Sequence, residues 1–285
     1  MGNNNIQVGL CGWGDHDSLY THGVRDRDKL TVYASHFPVV EIDSSFYAIL
    51  SQQQYANWVK ATPDRFRFVI KPHQAITGHQ RGPAPEDQPA IFRQFEESIQ
   101  PVVAAGKLAA LLLQFPPWFD CVKEHVQYVQ QCVQAFASYP LAVEFRHRSW
   151  FDERWREKTL DFLRGLGVAH VVCDEPQAGD GCVPIVVDVT LPQLSLVRFH
   201  GRNVSGWSGP RRGQNWREVR YLYDYSAAEL AEWLPRMQQL AQKADSVYVL
   251  FNNNSGGHAA GNAKQFMHLL GIEPDGLHPQ QMELF

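Results

Sequence analysis

Eight short apolar runs, each rich in β-formers and each closed by polar residues, recur along the chain and limit its fold more than any other feature. They cover residues 6–11, 39–42, 66–70, 108–113, 141–145, 168–173, 194–199 and 246–251. A strand apolar throughout is buried on both faces, as in a parallel sheet covered by helices. The intervening segments supply those helices. Apolar residues fall at helical spacing in 51–61, 86–105, 124–136, 151–166, 226–243 and 259–270, with Ser51 and Ser226 as N-caps and Glu229 completing a capping box. Residues 180–192, between the sixth and seventh runs, read as a strand-like excursion rather than a helix.

Two architectures accept eight parallel strands. An open doubly wound sheet would carry a Gly-x-Gly-x-x-Gly turn after its first strand, or a phosphate loop of the Gly-x-x-x-x-Gly-Lys-Ser/Thr type, and the sequence has neither. A single (β/α)8 barrel over 1–271, followed by a short tail over 272–285, is therefore predicted; 285 residues is an ordinary size for one. Composition narrows the class further. With 44% hydrophobic and 20% charged residues the chain is a globular protein, and no apolar run is long enough to span a membrane. The start, Met1-Gly2-Asn3-Asn4-Asn5, has no basic and apolar leader, so a cytoplasmic address is expected. The five cysteines are odd in number and contain no Cys-x-x-Cys pair, which argues against a disulfide framework or a cysteine zinc knuckle. A net charge of −4 excludes a general polyanion binder and leaves only a local basic patch for nucleic acid.

Barrels of this kind place reacting groups at the C-terminal ends of their strands. Those positions carry Glu41 and Asp43, Lys71 and His73, Gln114, Glu144 with Arg146 and His147, Asp174, Arg198 with His200, and Asn252. Glu144, Asp174 and His200 are the candidate acid, base or metal ligands. Asp43, Lys71, Arg146, Arg198, Arg202 and Asn252 are the candidate substrate contacts. Each has a structural reading too. Glu144 and Arg146 alternate along one strand, so both can point inward and form a buried ion pair with Arg198. Asp43 can serve a turn, and the histidines can be hydrogen-bonded spacers. A divalent metal is compatible with Glu41, His73, His79, Glu144, His147, Asp174 and His200, although no pair of them has a diagnostic ligand spacing. The loop after the seventh run, from His200-Gly201-Arg202 through Trp207 to Arg211-Arg212-Gly213 and Trp216, combines guanidiniums, glycines and indoles. That combination suits a phosphate and a stacked ring.

With these residues in view the chain resembles the YecE-like family, known as domain of unknown function 72. The resemblance rests on Gly9-Leu10-Cys11-Gly12-Trp13, Glu41-Ile42-Asp43-Ser44-Ser45-Phe46-Tyr47, Phe68-Val69-Ile70-Lys71 and Leu113-Gln114-Phe115-Pro116-Pro117. It continues through Val143-Glu144-Phe145-Arg146-His147-Arg148-Ser149-Trp150, Val197-Arg198-Phe199-His200-Gly201-Arg202 and Phe251-Asn252-Asn253-Asn254. Two departures stand out: Asp43 where the family often has Asn, and Thr77-Gly78-His79, which shifts the histidine by one position. The resemblance implies a barrel with a polar pocket at the strand ends, and it implies no reaction.

The tail adds a separate signal. Gln281-Met282-Glu283-Leu284-Phe285 resembles the short peptide by which bacterial replication and repair proteins dock on the β sliding clamp, with Gln281 at the rim and Met282, Leu284 and Phe285 as apolar anchors. Leu284 and Phe285 can equally fold back onto the barrel. The leading expectation is an enzyme acting on a phosphate-bearing substrate, a DNA phosphodiester among them, and recruited to DNA through the clamp. A non-catalytic clamp-binding accessory and a sugar-phosphate lyase or isomerase are the alternatives.

Overall fold

The computed structural model of the chain describes residues 5–21, 23–80, 87–207, 219–273 and 275–279. Eight parallel strands close into one barrel in sequence order: β1 (Ile6–Cys11), β2 (Val39–Ile42), β3 (Arg67–Ile70), β4 (Leu108–Gln114), β5 (Leu141–Glu144), β6 (Ala169–Asp174), β7 (Ser195–Phe199) and β8 (Val247–Phe251). β8 pairs back onto β1 from Ile6↔Val247 to Leu10↔Phe251, so no sheet edge is left open. Gly9 pairs with Val39 across β1 and β2, and a Cβ at Gly9 would collide with the Val39 carbonyl oxygen, so only glycine fits.

Helices cover the outside, as the periodicity predicts, with two interruptions. The segment read as one helix over 86–105 is two, Gln88–Ser98 and Gln100–Ala104. The 226–243 segment is Ala227–Ala231 and Leu234–Lys243. Each second helix opens with a proline in its first turn, Pro101 or Pro235, where the missing N–H costs nothing but the preceding helix cannot run through. The capping box of Ser226 and Glu229 is formed. Residues 180–192 contain no strand; they pack as coil over β6, where Val183 and Val186 are buried and Thr190 Oγ1 accepts from the His170 amide.

The outward strand faces pack against these helices. Phe199 and Phe251 stack at 4.5 Å, with Phe266 and Trp233 against Phe199. Burying one such ring stabilises the fold by about 1.5–3 kcal/mol. Among the described residues no helix is long and apolar enough to cross a membrane.

Candidate active site at the barrel mouth

Because side chains alternate along a strand, every second residue faces the barrel axis. Near the N-terminal ends these positions are apolar, including Val39, Ala142, Val171 and Leu196, all buried. Two residues further on, several strands turn from apolar to charged, although Val69 and Leu250 stay apolar beside Glu41 and Arg198. Glu41, Glu144, Cys173 and Arg198 occupy the next layer, and Asp43, Arg146, Glu175, His200 and Asn252 the one above.

Arg198 is the hub of the lower layer. Its Nε and Nη2 donate to the two carboxylate oxygens of Glu41 at 2.9 and 2.6 Å, and its Nη1 donates to Glu144 Oε2 at 2.7 Å. Arg146 Nη1 donates to the other Glu144 oxygen at 2.8 Å. All four side chains are buried. Burial alone would raise the Glu144 pKa; Arg198 and Arg146 outweigh it and hold this carboxylate well below its ordinary range. Glu41 has the opposite balance. Burial outweighs Arg198, and Asp43 adds to it, so its pKa rises to about 7. At the rim Lys71 Nζ sits 3.0 Å from Asp43. Burial pulls the Lys71 pKa down, but Asp43 and Glu41 reverse this and leave it raised.

His200 lies above Glu144. Arg146 Nη1 is 3.0 Å from its Nε2, and Glu144 Oε1 is 3.3 Å from the same nitrogen. Burial, reinforced by Arg146 and Arg198, keeps its pKa well below the usual histidine value. The Asn252 carboxamide meets the other ring nitrogen, Nδ1, at 3.0 Å.

Glu175, which the sequence reading passed over in favour of its neighbour Asp174, completes the upper layer. Its Oε1 accepts from the Val183 amide at 2.5 Å, and its Oε2 lies 3.2 Å from Arg146 Nη2. Burial raises its pKa to about 7 against the pull of Arg146. Over this corner sits Trp207, whose ring has the Arg146 guanidinium at 4.7 Å and that of Arg220 at 4.3 Å. Burial holds the Arg220 pKa below its ordinary value, and Arg146 adds to the effect. Among the described residues Arg146 Nε and Nη2, Trp207 Nε1 and Glu175 Oε2 are buried without a hydrogen-bond partner, Nη2 and Oε2 facing each other only as an ion pair. Three donors and one carboxyl oxygen are thus left open in one corner.

Asp174 and Arg202 do not join this group. One residue off in the alternation, Asp174 points out of the barrel, where it accepts from Arg202 at 2.7 and 2.9 Å, Tyr225 at 3.1 Å and Trp233 at 2.7 Å. Every acceptor position is used, which makes it a structural tie between β6 and the helix layer. His73 and His147 go to turns, each accepting from a backbone amide two residues on at 3.3 Å. Gln281, Met282, Leu284 and Phe285 lie outside the described residues, as do Arg211, Arg212 and Trp216.

Among the described residues two groups have metal-ligand types close together, Glu144–Cys173–His200 and Cys11–Glu41–Asp43, with candidate atoms within 4.8 Å of one another. In the first both Glu144 oxygens and His200 Nε2 already face arginine, and in the second Arg198 takes both Glu41 oxygens. An ion there would meet guanidinium at close range, so the arrangement suits an anion better than a cation. A cavity of about 360 Å³ lies at the other end of the barrel, beside Ile6, Val8, Arg65 and Met267. The convergent charge is at the C-terminal end, and chemistry is assigned there.

Comparison with known proteins agrees with this architecture. The family model described as "Protein of unknown function DUF72" matches residues 7–283. The UPF0759 protein YunF of Bacillus subtilis is 51% identical over 281 residues, covering 98% of this chain and 100% of the relative. The UPF0759 protein YecE of Escherichia coli K12 is 27% identical over 173 residues, 59% of each chain. Among solved structures, a DUF72 protein from Enterococcus faecalis V583 superposes with a TM-score of 0.88 at 38% identity, covering 98% of this chain and 100% of its own. Another, from Thermotoga maritima MSB8, gives a TM-score of 0.80 at 30% identity, covering 94% and 99%. With the family model spanning almost the whole length and the barrel shared by these structures, the chain belongs to the DUF72 family.

Proposed function

We propose that this barrel is an enzyme that binds a phosphate-bearing substrate at the β5–β7 side of its mouth and acts on it by acid–base chemistry. The observation that carries this reading is the open donor set: Arg146 Nε and Nη2 and Trp207 Nε1, buried and without hydrogen-bond partners, beside a second guanidinium on the same indole. A buried donor left unmade costs about 1–3 kcal/mol, more when charged. A phosphate, with several acceptor oxygens and the right charge, answers all three at once.

Glu175 supplies the proton chemistry. Its free oxygen is 3.2 Å from the anion-holding Arg146, and its pKa of about 7 lets it give or take a proton near neutrality. In hydrolysis of a phosphate ester, water would add to phosphorus, the ester P–O bond would break, and protonated Glu175 would hand its proton to the departing oxygen. The proton shed by the water as it becomes a phosphate oxygen would return to the Glu175 carboxylate. His200, with Nε2 between Arg146 and Glu144 and Nδ1 against Asn252, keeps Arg146 in place rather than acting as the base. A DNA phosphodiester belongs to this substrate class, and so does a sugar phosphate.

Calorimetric titration of the purified protein with inorganic phosphate, phosphate monoesters and phosphate diesters tests the reading. Binding by the native protein, weakened at least about tenfold in Arg146→Lys, which keeps the charge but loses the fork, is the expected result. No heat with any of them at millimolar concentration, from protein whose circular dichroism shows it folded, would leave the non-catalytic accessory as the better account.

Recruitment through the β sliding clamp is proposed as the address of this activity. It is supported by the sequence Gln281-Met282-Glu283-Leu284-Phe285 alone. Binding of the full chain to purified clamp, lost on removing these five residues, is expected; equal behaviour of the two forms would remove DNA from the proposal and leave small phosphate esters.

A further inference from the structure

We infer that the ligand of this mouth is a nucleotide unit, with its phosphate on the Arg146 corner and its base against an aromatic rim formed by Phe46, His79 and Trp118. The inference rests on the phosphate reading above and names the other half of the same ligand.

The rim begins at the charged rim of the barrel and runs outward. Lys71 Nζ, the partner of Asp43, lies 4.7 Å from the centre of the Phe46 ring. Phe46 meets His79 edge-on at 4.7 Å, and His79 meets Trp118 at 6.1 Å, also edge-on. Tyr47 branches from Phe46 at 5.2 Å. Trp118 and Tyr47 keep 42% and 55% of their surface exposed, among the largest exposures of any large apolar side chain described. Exposed aromatics that adjoin a polar pocket mark a binding surface more often than scattered ones do.

The rim is held in shape before any ligand arrives. Trp118 follows Pro116-Pro117, whose φ angles are fixed, and precedes Phe119, which stacks on Phe115 at 4.5 Å. The Phe119 carbonyl also accepts from Trp150 Nε1 at 2.7 Å. Thr77 Oγ1 lies 3.0 Å from His79 Nδ1. A pinned aromatic loses little freedom on binding, so its stacking energy is available to the ligand. His79 is also uncharged. Burial, reinforced by Lys71 and Arg146, lowers its pKa to about 3, so it offers a neutral ring and no counter-ion. The rim joins the charged mouth through Lys71, whose ammonium lies between the Phe46 ring and Asp43. Aromatic side chains at such a rim stack on the face of a base, which offers a larger flat surface than a sugar does, and the sugar phosphate is the control that separates the two.

The test compares inorganic phosphate, deoxyribose 5-phosphate and deoxyadenosine 5′-monophosphate on the full chain and on Trp118→Ala and Trp118→Phe. Trp118 is exposed, so neither substitution threatens the fold. The nucleotide should bind about tenfold tighter than the sugar phosphate, the advantage should vanish in Trp118→Ala, and Trp118→Phe should restore most of it. If phosphate and sugar phosphate bind but the base adds nothing, or adds the same in Trp118→Ala, the nucleotide inference is wrong and the phosphate reading survives. If none of the three binds, both fall.

Discussion

Asp174 and Glu175 are neighbours at the end of one strand, both buried, and the fold gives them opposite surroundings. Asp174 looks outward into a knot where Arg202, Tyr225 and Trp233 satisfy both its oxygens. Glu175 looks inward, with one oxygen tied to Val183 and the other left without a hydrogen bond next to an arginine that is itself half satisfied. The outer group is finished, and nothing could be added to it without breaking it. The inner group is unfinished, and a ligand would complete it. Satisfied polar clusters hold structure together, whereas open ones store binding energy at the expense of stability.

The sharpest way to break this comparison is to remove each carboxylate. Asp174→Ala leaves the buried Tyr225 phenol and Trp233 indole N–H without their acceptor, while Arg202 keeps Glu229 and Glu232, and should cost about 3 kcal/mol in urea unfolding. Phosphate affinity, measured at a temperature where the variant is folded, should stay within a factor of about two of the native value. A variant that unfolds normally but no longer binds phosphate would place Asp174 in the site after all.

The same pair of residues shows how much the sequence could say. The eight strands were legible because each is apolar through its whole length, and the barrel followed from their spacing and from the missing nucleotide-binding turns. Glu144, Arg146 and Arg198 were legible as an inward group, because alternation puts all three on the axis. Asp174 and Glu175 were not separable that way. The apolar run ends at Cys173, and without the register Cys173↔Arg198 nothing in the sequence says which of the next two residues shares a face with Arg198. Continuing that register by one residue beyond β6 would set Glu175 beside His200, but the register is known only from the fold. The helix breaks at Pro101 and Pro235 were visible in principle, since a proline in the middle of a helical pattern usually begins a new helix.

A second contrast is between two inner carboxyls that hold a proton more tightly than usual and two histidines that hold theirs less tightly. Glu175 and Glu41 have pKa values near about 7 in the fold against 4.5 for an ordinary glutamate. Between those values the folded chain binds protons that the unfolded chain has released, so their contribution is present in acid and lost as pH rises through about 7. His200 and His79, both depressed, work the other way: below about 6.5 the unfolded chain gains protons the folded one refuses. Above pH 6.5 only the carboxyl effect remains, and stability should fall toward pH 8. Glu175→Gln mimics the protonated form, so its stability relative to the native chain should climb from about 1 kcal/mol at pH 5 to as much as about 3 kcal/mol at pH 8.5. Parallel curves across that range would give Glu175 an ordinary pKa and disqualify it as the acid.

The finest comparison uses one substitution at two tryptophans. Trp233 Nε1 donates to Asp174 at 2.7 Å in the finished cluster, whereas Trp207 Nε1 is buried with no partner in the open one. Phenylalanine keeps most of the ring and removes only the donor. At Trp233 this deletes a hydrogen bond to a charged group, worth about 1.5–3 kcal/mol of stability, and should leave phosphate affinity alone. At Trp207 it relieves an unmade donor, so stability should hold or rise slightly, while phosphate affinity falls by roughly fivefold, about 1 kcal/mol. The two variants should therefore move opposite readouts. If Trp207→Phe loses stability and keeps its affinity, the indole is part of the scaffold, and the anion corner shrinks to the two arginines beneath it.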